Sequence, residues 1–129
     1  MERTNTVIIG MGSNYDSKNH LEFARRNLQT IFPDIVFSRL LQTEPVGFQT
    51  NLQPFLNQLA LVRTKTDIPG ICHALKKLEK EAGRTPEDKK QEIVRLDLDI
   101  LQINDQTLKA EELNRSYYQQ AMSELRHLL

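Results

Sequence analysis

The stretch "VRLDLDIL", residues 94–101, contains two aspartates within an otherwise aliphatic run. Successive side chains of a β-strand point to opposite faces of a sheet, so the alternation separates these residues into two sets. The aliphatic set consists of Val94, Leu96, Leu98 and Ile100. The other set contains Arg95, Asp97 and Asp99. We therefore expect a strand whose aliphatic side chains face a core and whose two carboxylates lie together on the opposite face.

The rest of the chain supplies the partners of this strand. The other predicted strands lie within "TVIIGMGSN" (6–14), "DIVFSRLLQT" (34–43) and "FLNQLALVRT" (55–64). The first predicted helix begins at Asp16 or Ser17 and ends before Pro33. The second begins at Thr66 or Asp67 and ends at Gly83, and the last is "AEELNRSYYQQAMSELRHLL", residues 110–129. The order β-α-β-β-α-β predicts an α+β, ferredoxin-like fold. Such a fold has a four-stranded antiparallel sheet with both helices on one face, here followed by a C-terminal helix.

Two polar segments interrupt this pattern and are predicted to be loops. "EPVGFQTNLQP", residues 44–54, contains prolines, a glycine and an asparagine, which are typical of an irregular connection, and is a candidate binding loop. "RTPEDKKQE", residues 84–92, is almost entirely polar and is expected to be a solvated, mobile loop. Because both helices are predicted on one sheet face, the opposite face is expected to be open to a ligand.

Composition limits the classes of function. The 129 residues fit one domain spanning 1–129, and 17 basic residues balance 17 acidic ones, so no overall field favours nucleic acid or an anionic membrane. The lone Cys72 excludes an internal disulfide and, with one neighbouring histidine, is too little for a zinc site. The N-terminus shows no signal-peptide order and no apolar run reaches a membrane span, which predicts a cytoplasmic protein. The oligomeric state is left open.

The aspartate pair is the strongest candidate for chemistry. Asp97 and Asp99 are two positions apart on one strand face, which brings their Cβ atoms to about 6–7 Å, where like charges repel unless a divalent cation binds between them. Mg²⁺ accepts one or two carboxylates and completes its shell with water and phosphate oxygens. The alternative is a solvated polar strand face, and the spacing alone does not exclude it.

Four short motifs follow one another in a fixed order along the chain, and together they are more specific than any one of them. "GSN" (12–14), "TEPVG" (43–47), "PFLN" (54–57) and "RLDLDIL" (95–101) resemble the bacterial 6-hydroxymethyl-7,8-dihydropterin pyrophosphokinases of folate biosynthesis. The resemblance implies transfer of pyrophosphate from ATP to the hydroxymethyl group of the reduced pterin, with AMP as the other product. It further implies two Mg²⁺ ions held by Asp97 and Asp99, with ATP as co-substrate.

The resemblance also assigns roles to individual residues. The positions that it implies for pterin binding are Thr43, Pro45, Val46, Phe55 and Asn57. Glu79 falls where a glutamate contacts the nucleoside part of ATP, and Lys76 and Arg84 are expected to bind the nucleotide with it. Arg84 and Arg95 are expected to act in catalysis beside the aspartates. The 84–92 loop is expected to close over the nucleotide and exclude water.

The chain departs from the family pattern at positions that contact phosphate in the family. Val94 stands where the family has an arginine, and Arg95 follows one place later, on the predicted strand face of Asp97. Its guanidinium is expected either to pair with the aspartates and weaken metal binding or to bind phosphate. A C-terminal Pro-His motif of the family is replaced by "LNRSYYQQAMSEL". Two alternatives to the enzyme stay open: a catalytically weak paralogue that binds a pterin-like or nucleotide ligand, and a ferredoxin-like protein-interaction module.

Overall fold

An antiparallel sheet and four helices make up the computed structural model, which describes residues 4–45, 47–109, 111 and 115–126, with the backbone alone for Tyr117 and Arg126. The strands are β1 (Asn5–Ser13), β2 (Val36–Phe37), β3 (Leu41–Thr43), β4 (Phe55–Thr64), β5 (Asp97–Ile103) and β6 (Gln106–Thr107). The helices are α1 (Ser17–Ile31), α2 (Ile68–Glu81), α3 (Pro86–Lys90) and α4 (Ser116–Arg126). The α+β class and the antiparallel sheet are therefore as predicted. None of the described helices is long and apolar enough to cross a lipid bilayer.

The sheet contains six described strands where four were predicted. Its order is β2–β4–β1–β5–β6, and β3 also pairs with β4. The predicted second strand, residues 34–43, is split because Ser38 interrupts it: the Ser38 hydroxyl accepts a hydrogen bond from the Leu59 backbone at 2.9 Å. β2 and β3 consequently pair with different parts of β4. β6 forms a short hairpin with β5.

The main core lies between the sheet and helices α1 and α2. Alternate residues of β1 and β5 enter it, and the helices contribute their apolar stripes. Its largest members include Val7, Ile9, Met11, Leu21, Leu28, Ile71, Leu75, Leu96 and Leu98. Asp67 caps α2 by accepting a hydrogen bond from the Gly70 backbone at 2.8 Å. Leu98 of β5 and Leu96 just before it therefore face the helices, as the strand alternation predicted.

Helix α4 covers part of the opposite sheet face, which was expected to be open. Four of its side chains pack on this face against residues of β1, β4 and β5. The cluster consists of Ile8, Leu59, Leu61, Leu101, Tyr118, Ala121, Met122 and Leu125. Because α4 covers one end of this face, the remaining open area lies near Gly10, Gly12 and the start of β5.

The segment 84–92 is not a solvated loop over its whole length, because it contains α3. The Thr85 backbone donates to the Asp88 carboxylate at 3.2 Å, and Pro86 occupies the first turn, where it needs no backbone donor. The Asp88 side chain is buried and bonded to Arg95 at 2.9 Å, so α3 is tied to the residues that precede β5. The predicted mobility of this segment was based on its polarity alone.

Candidate active site

A cavity of about 280 Å³ opens on the sheet face beyond the end of α4. Ends of β1, β3, β4 and β5 meet there, with the connection after β3 forming one wall. The residues that line it are Gly10, Met11, Gly12, Thr43, Glu44, Phe48, Phe55, Asn57, Val94, Asp97, Asp99, Arg115 and Tyr118. The cavity therefore brings together five of the side chains that were predicted to form a site: Thr43, Phe55, Asn57, Asp97 and Asp99.

Two glycines of β1 form the floor of this cavity. In the sheet register Gly12 lies between Asn57 of β4 and Asp97 of β5, and Gly10 is paired with Asp99. A Cβ atom on Gly12 would lie 3.2 Å from the Asn57 Oδ1 atom, a tighter approach than side chains normally make. The absence of a side chain at this position therefore leaves a gap between the amide and the carboxylates, wide enough for a ligand.

The wall beside β4 combines a fixed amide with aromatic surface. The Asn57 Nδ2 atom donates to the Thr43 hydroxyl at 2.6 Å, which fixes the orientation of a buried side chain. The rings of Phe48 and Phe55 lie 5.6 Å apart between centroids and are tilted by 57° to each other, within the range of distances at which aromatic pairs attract. This wall offers apolar contact and a hydrogen-bonding edge to a flat heterocycle.

The opposite wall carries Asp97 and Asp99. Burial raises the pKa of the Asp97 carboxyl to about 7, and repulsion from Asp99 and a hydrogen bond with it act in the same direction; nearby Arg84 opposes the shift. The Arg84 Nη1 atom lies 3.4 Å from the Asp97 Oδ1 atom. Without a bound cation, the charged form of Asp97 is therefore disfavoured beside Asp99.

Within the described part of the chain, no group of three or more histidine, cysteine, aspartate or glutamate side chains is arranged to hold a metal. Of the three described acidic residues that line the cavity, Asp97 and Asp99 lie close together on β5 and form the candidate donor pair, while Glu44 lies on the connection after β3. Two carboxylates suit Mg²⁺, which retains water and binds phosphate oxygens, better than they suit a metal that requires a complete protein shell. The pair is therefore a candidate site for Mg²⁺ with a phosphate ligand.

Arg84 is held by a buried carboxylate behind the aspartates. Its Nη1 atom lies 3.0 Å from the Glu79 Oε2 atom, which also accepts a hydrogen bond from the Leu98 backbone at 2.9 Å. The Glu79 side chain is 4% exposed and is not among the described residues that line the cavity. In this arrangement Glu79 joins α2 to β5 and orients Arg84, while Lys76 pairs with its other oxygen at 3.3 Å.

A second cavity, of about 210 Å³, lies between α2 and β5. It is mostly apolar and is lined by Ile68, Cys72, Leu75, Lys76, Leu98, Asp99, Ile100 and Leu108. Asp99 lines both cavities, so the aspartate pair lies between a heterocycle-sized pocket on one side and an apolar pocket with a lysine on the other.

Arg95 does not form the expected ion pair with Asp97 and Asp99. It lies just before β5 begins, and its Nε atom donates to the Asp88 Oδ2 atom at 2.9 Å. Its guanidinium lies 4.5 Å from the centroid of the Tyr15 ring, a cation–π contact. Strand alternation predicted otherwise because it treated residue 95 as part of the regular strand, whereas β5 starts at Asp97.

Two further residues, Pro45 and Val46, were predicted to contact the ligand. Pro45 is not among the described residues that line the cavity, and Val46 lies outside the described residues. Conversely, Phe48 and Glu44 line the cavity without having been predicted to do so. The one signal for Phe48 in the sequence was a large aromatic residue directly after Gly47 in an otherwise polar loop.

A comparison with protein-family models finds a match over most of the chain. The family described as 7,8-dihydro-6-hydroxymethylpterin-pyrophosphokinase matches residues 8–127 of the 129-residue chain. No curated protein matches the chain. The match includes every described residue that lines the two cavities.

Proposed function

Because the chain belongs to the 7,8-dihydro-6-hydroxymethylpterin-pyrophosphokinase family, a family of folate-pathway pyrophosphokinases, we propose that it transfers pyrophosphate from ATP to the hydroxymethyl group of 6-hydroxymethyl-7,8-dihydropterin. The hydroxymethyl oxygen would form a bond to the β-phosphorus of ATP while the bond between that phosphorus and the α,β-bridging oxygen breaks. AMP leaves, and the hydroxyl proton is released. Residues 1–129 would act as one domain with a ferredoxin-like core.

One observation carries this proposal: the aspartate pair and the aromatic wall face each other across a single cavity. The bonded pair Asn57 and Thr43 gives that wall a polar edge. A bicyclic heterocycle with exocyclic amine and carbonyl groups could stack on Phe55 and meet this edge. Its hydroxymethyl group would then point over the floor at Gly12 toward Asp97.

The second cavity supports a position for the nucleotide. Its apolar lining suits a purine ring, and it adjoins Lys76 and Asp99. A nucleotide bound there would extend its phosphates past Asp99 toward the first cavity. Such a route would bring the nucleotide to Lys76 and Arg84, which were predicted to bind it. Glu79, predicted to contact the nucleoside part of ATP, is buried and would instead orient both cations through its ion pairs.

Asp97 and Asp99 would hold Mg²⁺, with two ions expected from the family resemblance. Bound Mg²⁺ would neutralise phosphate charge and align the reacting groups. The contribution of the chain is to orient the two substrates and to supply cationic groups. Because Arg84 is fixed by Glu79 at 3.0 Å, its guanidinium is already ordered before any phosphate approaches, which lowers the entropic cost of binding.

The direct test is to incubate the protein with ATP, Mg²⁺ and 6-hydroxymethyl-7,8-dihydropterin and to measure AMP. We expect AMP that depends on the pterin and is lost in Asp97→Asn. A matched control is Asp105→Asn, which makes the same change at an exposed turn beside β5. Pterin-independent AMP, or full activity in Asp97→Asn, would contradict the proposal.

A binding protein without efficient transfer is the second candidate, and the placement of Arg95 favours it. Arg95 is engaged by Asp88 and Val94 lines the cavity, so neither position supplies a cation to the phosphates. Binding of the pterin or of ATP without AMP formation would support this candidate. An interaction module would bind neither ligand, and its partner would have to use a sheet face that α4 already covers in part.

A further inference from the structure

The carboxylate of Glu92 binds three consecutive backbone amides of the connection between β3 and β4. It accepts hydrogen bonds from the backbone nitrogens of Gln49 at 2.9 Å, Thr50 at 2.6 Å and Asn51 at 3.1 Å. The Thr50 hydroxyl donates to the same carboxylate at 2.6 Å. We call this arrangement of Glu92 with residues 49–51 the Glu92 clasp. It joins two segments that are more than 40 residues apart in the sequence.

The backbone at Glu92 indicates that its side chain has a role. Glu92 follows α3 with a φ of 56°, in the left-handed region where glycine is the usual residue. The Ile93 backbone nitrogen donates to the Asp88 carbonyl oxygen at 2.9 Å, as in a helix ending that normally uses glycine. A glutamate in this conformation carries a backbone cost that glycine would avoid, and here its carboxylate makes the contacts of the clasp.

The clasp is anchored to the sheet through Asn14. The Asn14 Nδ2 atom donates to the Glu92 carbonyl oxygen at 2.9 Å, and the Val94 backbone nitrogen donates to the Asn14 Oδ1 atom at 2.6 Å. The Asn51 side chain donates to the same Glu92 carbonyl oxygen at 2.9 Å. Residues 49–51 are therefore held in place relative to the end of β1, which forms the floor of the first cavity.

The residue that this anchorage positions is Phe48. It directly precedes Gln49, lines the first cavity and contacts the ring of Phe55. A connection of this length without secondary structure would otherwise leave Phe48 free to leave the cavity. With the clasp formed, Phe48 and Phe55 make one continuous aromatic surface opposite the aspartates.

We propose that Glu92 is a positioning residue for the heterocyclic substrate: by holding residues 49–51 it keeps Phe48 on the cavity, and Phe48 is itself a substrate-contacting residue. This inference rests on the proposed function for the identity of the heterocycle. The ligand would be a flat, electron-poor or neutral bicyclic ring that stacks on phenylalanine. The nucleotide would be unaffected, because no residue of the clasp lines the second cavity.

The test compares Glu92→Gln with Glu87→Gln. Glu87 lies in the same segment and loses the same charge, but it is highly exposed and its ion pair with Lys90 is 3.7 Å long. Two quantities are measured in each protein: the hydrogen-exchange rates of the amides of residues 49–51, and the steady-state constants for 6-hydroxymethyl-7,8-dihydropterin and for ATP.

In Glu92→Gln we expect exchange at residues 49–51 to accelerate about fivefold, since charge-assisted bonds are roughly twice as strong as neutral ones. The KM for the pterin should rise about fivefold to tenfold, while kcat and the KM for ATP change little. The reason is that the aromatic wall must then be ordered when the pterin binds, and this cost weakens binding without affecting the chemical step. Glu87→Gln should match the wild type. A further variant, Phe48→Leu, should raise the pterin KM while leaving the exchange rates at residues 49–51 as they were.

Unchanged exchange in Glu92→Gln would overturn the inference, and so would faster exchange with a pterin KM equal to that of Glu87→Gln. Wild-type protein that neither binds the pterin nor forms AMP would instead overturn the proposed function, and the assignment of Phe48 with it. The two failures can be told apart, because the first is observed only when the wild-type protein uses the pterin as a substrate.

Discussion

Arg95 and Asp88 form a close ion pair away from the candidate metal site, with 2.9 Å between the Nε and Oδ2 atoms. The Asp88 side chain is 8% exposed and that of Arg95 28% exposed, so the pair is largely removed from water. Burial raises the pKa of Asp88, but hydrogen bonds from Arg95 and Thr85 outweigh it, and the net pKa is below the ordinary value. The pair therefore stabilises α3 above the ordinary pKa of aspartate, and this stabilisation is lost as the pH falls through the lowered value.

Replacement of Arg95 should affect the stability of the fold more than it affects metal binding. We expect Arg95→Met to lower the free energy of unfolding by about 1–3 kcal/mol, because it leaves a buried carboxylate without its partner. Mg²⁺ affinity should stay within a factor of about two, since the guanidinium is not bonded to Asp97 or Asp99. Urea denaturation and Mg²⁺ titration measure the two effects. A large gain in Mg²⁺ affinity would mean that Arg95 does compete with the metal in solution.

Glu79 should prove important for folding as well as for Arg84. Glu79→Ala would leave the Leu98 amide without its acceptor and would remove the closer of the two carboxylates that Arg84 contacts, so we expect a loss of about 2–4 kcal/mol in the free energy of unfolding. Glu79→Gln keeps an acceptor and should cost less. Glu81→Ala, at an exposed position of α2, is the control. Equal stability of Glu79→Ala and Glu81→Ala would show that the buried contacts contribute nothing.

The aspartate pair should make stability depend on pH and Mg²⁺. The pKa of Asp97 in the fold is about 7, above its ordinary value of 3.8, so the folded state holds a proton more tightly than the unfolded chain. Without Mg²⁺, stability should therefore fall as the pH rises from about 4 to about 7 and level off above that. At pH 8 we expect Asp97→Asn to melt at a higher temperature than the wild type.

Added Mg²⁺ should reverse this order by raising the melting temperature of the wild type but not that of Asp97→Asn. Thermal denaturation with and without EDTA measures both effects. Asp105→Asn should behave as the wild type throughout. An identical response of the wild type and Asp97→Asn to Mg²⁺ would argue against a metal site at this pair.

Cys72 should report on the nucleotide. It is the only cysteine in the chain, is exposed, and lines the second cavity, so its alkylation by iodoacetamide can be followed without interference. We expect ATP with Mg²⁺ to cover the thiol and to slow its alkylation at least about threefold. Protection should be incomplete because the pocket is open to solvent. The pterin alone should not slow it, because Cys72 does not line the first cavity. Protection by the pterin and not by ATP would exchange the assignments of the two cavities.

The Glu92 clasp should open only in strong acid. Hydrogen bonds from Thr50, Gln49 and Asn51 lower the pKa of Glu92 to about 2 from an ordinary value of 4.5. A lowered pKa means that the contacts contribute stability above pH 4.5 and lose it progressively as the pH falls toward 2. Amide chemical shifts of residues 49–51 should therefore titrate together with a midpoint near 2. A midpoint near 4.5 would show that the carboxylate is not bonded in solution.

Local patterns in the sequence were sufficient for several of the regular elements. The predicted strand at residues 55–64 coincides with β4, because a short, largely apolar run preceded by a proline indicates a strand without reference to its partners. The alternation of the last strand likewise separated Leu96 and Leu98 from Asp97 and Asp99, and the structure has these sets on opposite faces. Order and spacing of short motifs were then enough to indicate the family.

The errors arose where a residue's position depends on distant parts of the chain. The helix in residues 84–92 starts at a local signal, Thr85 with Pro86 and Asp88, which the polarity of the segment concealed. It is held to the rest of the fold by the pair of Asp88 with Arg95 and by the contacts of Glu92 with residues 49–51, and neither follows from local polarity. The split of the second strand depends on the bond between Ser38 and Leu59. α4 covers the sheet because Tyr118 and Leu125 find apolar partners on β1, β4 and β5.

The sequence by itself therefore determined that Leu98 lies on the opposite face of β5 from Asp97 and Asp99, that two carboxylates are adjacent, and to which family the chain is related. Only the tertiary structure decided which side chains lie across the cavity from those carboxylates and which charged groups lie where a phosphate could bind. Side-chain direction in a strand is set by the backbone repeat of two residues, which is local. The partner of an arginine or a glutamate is the nearest opposite charge or donor in space, which depends on how the whole chain folds.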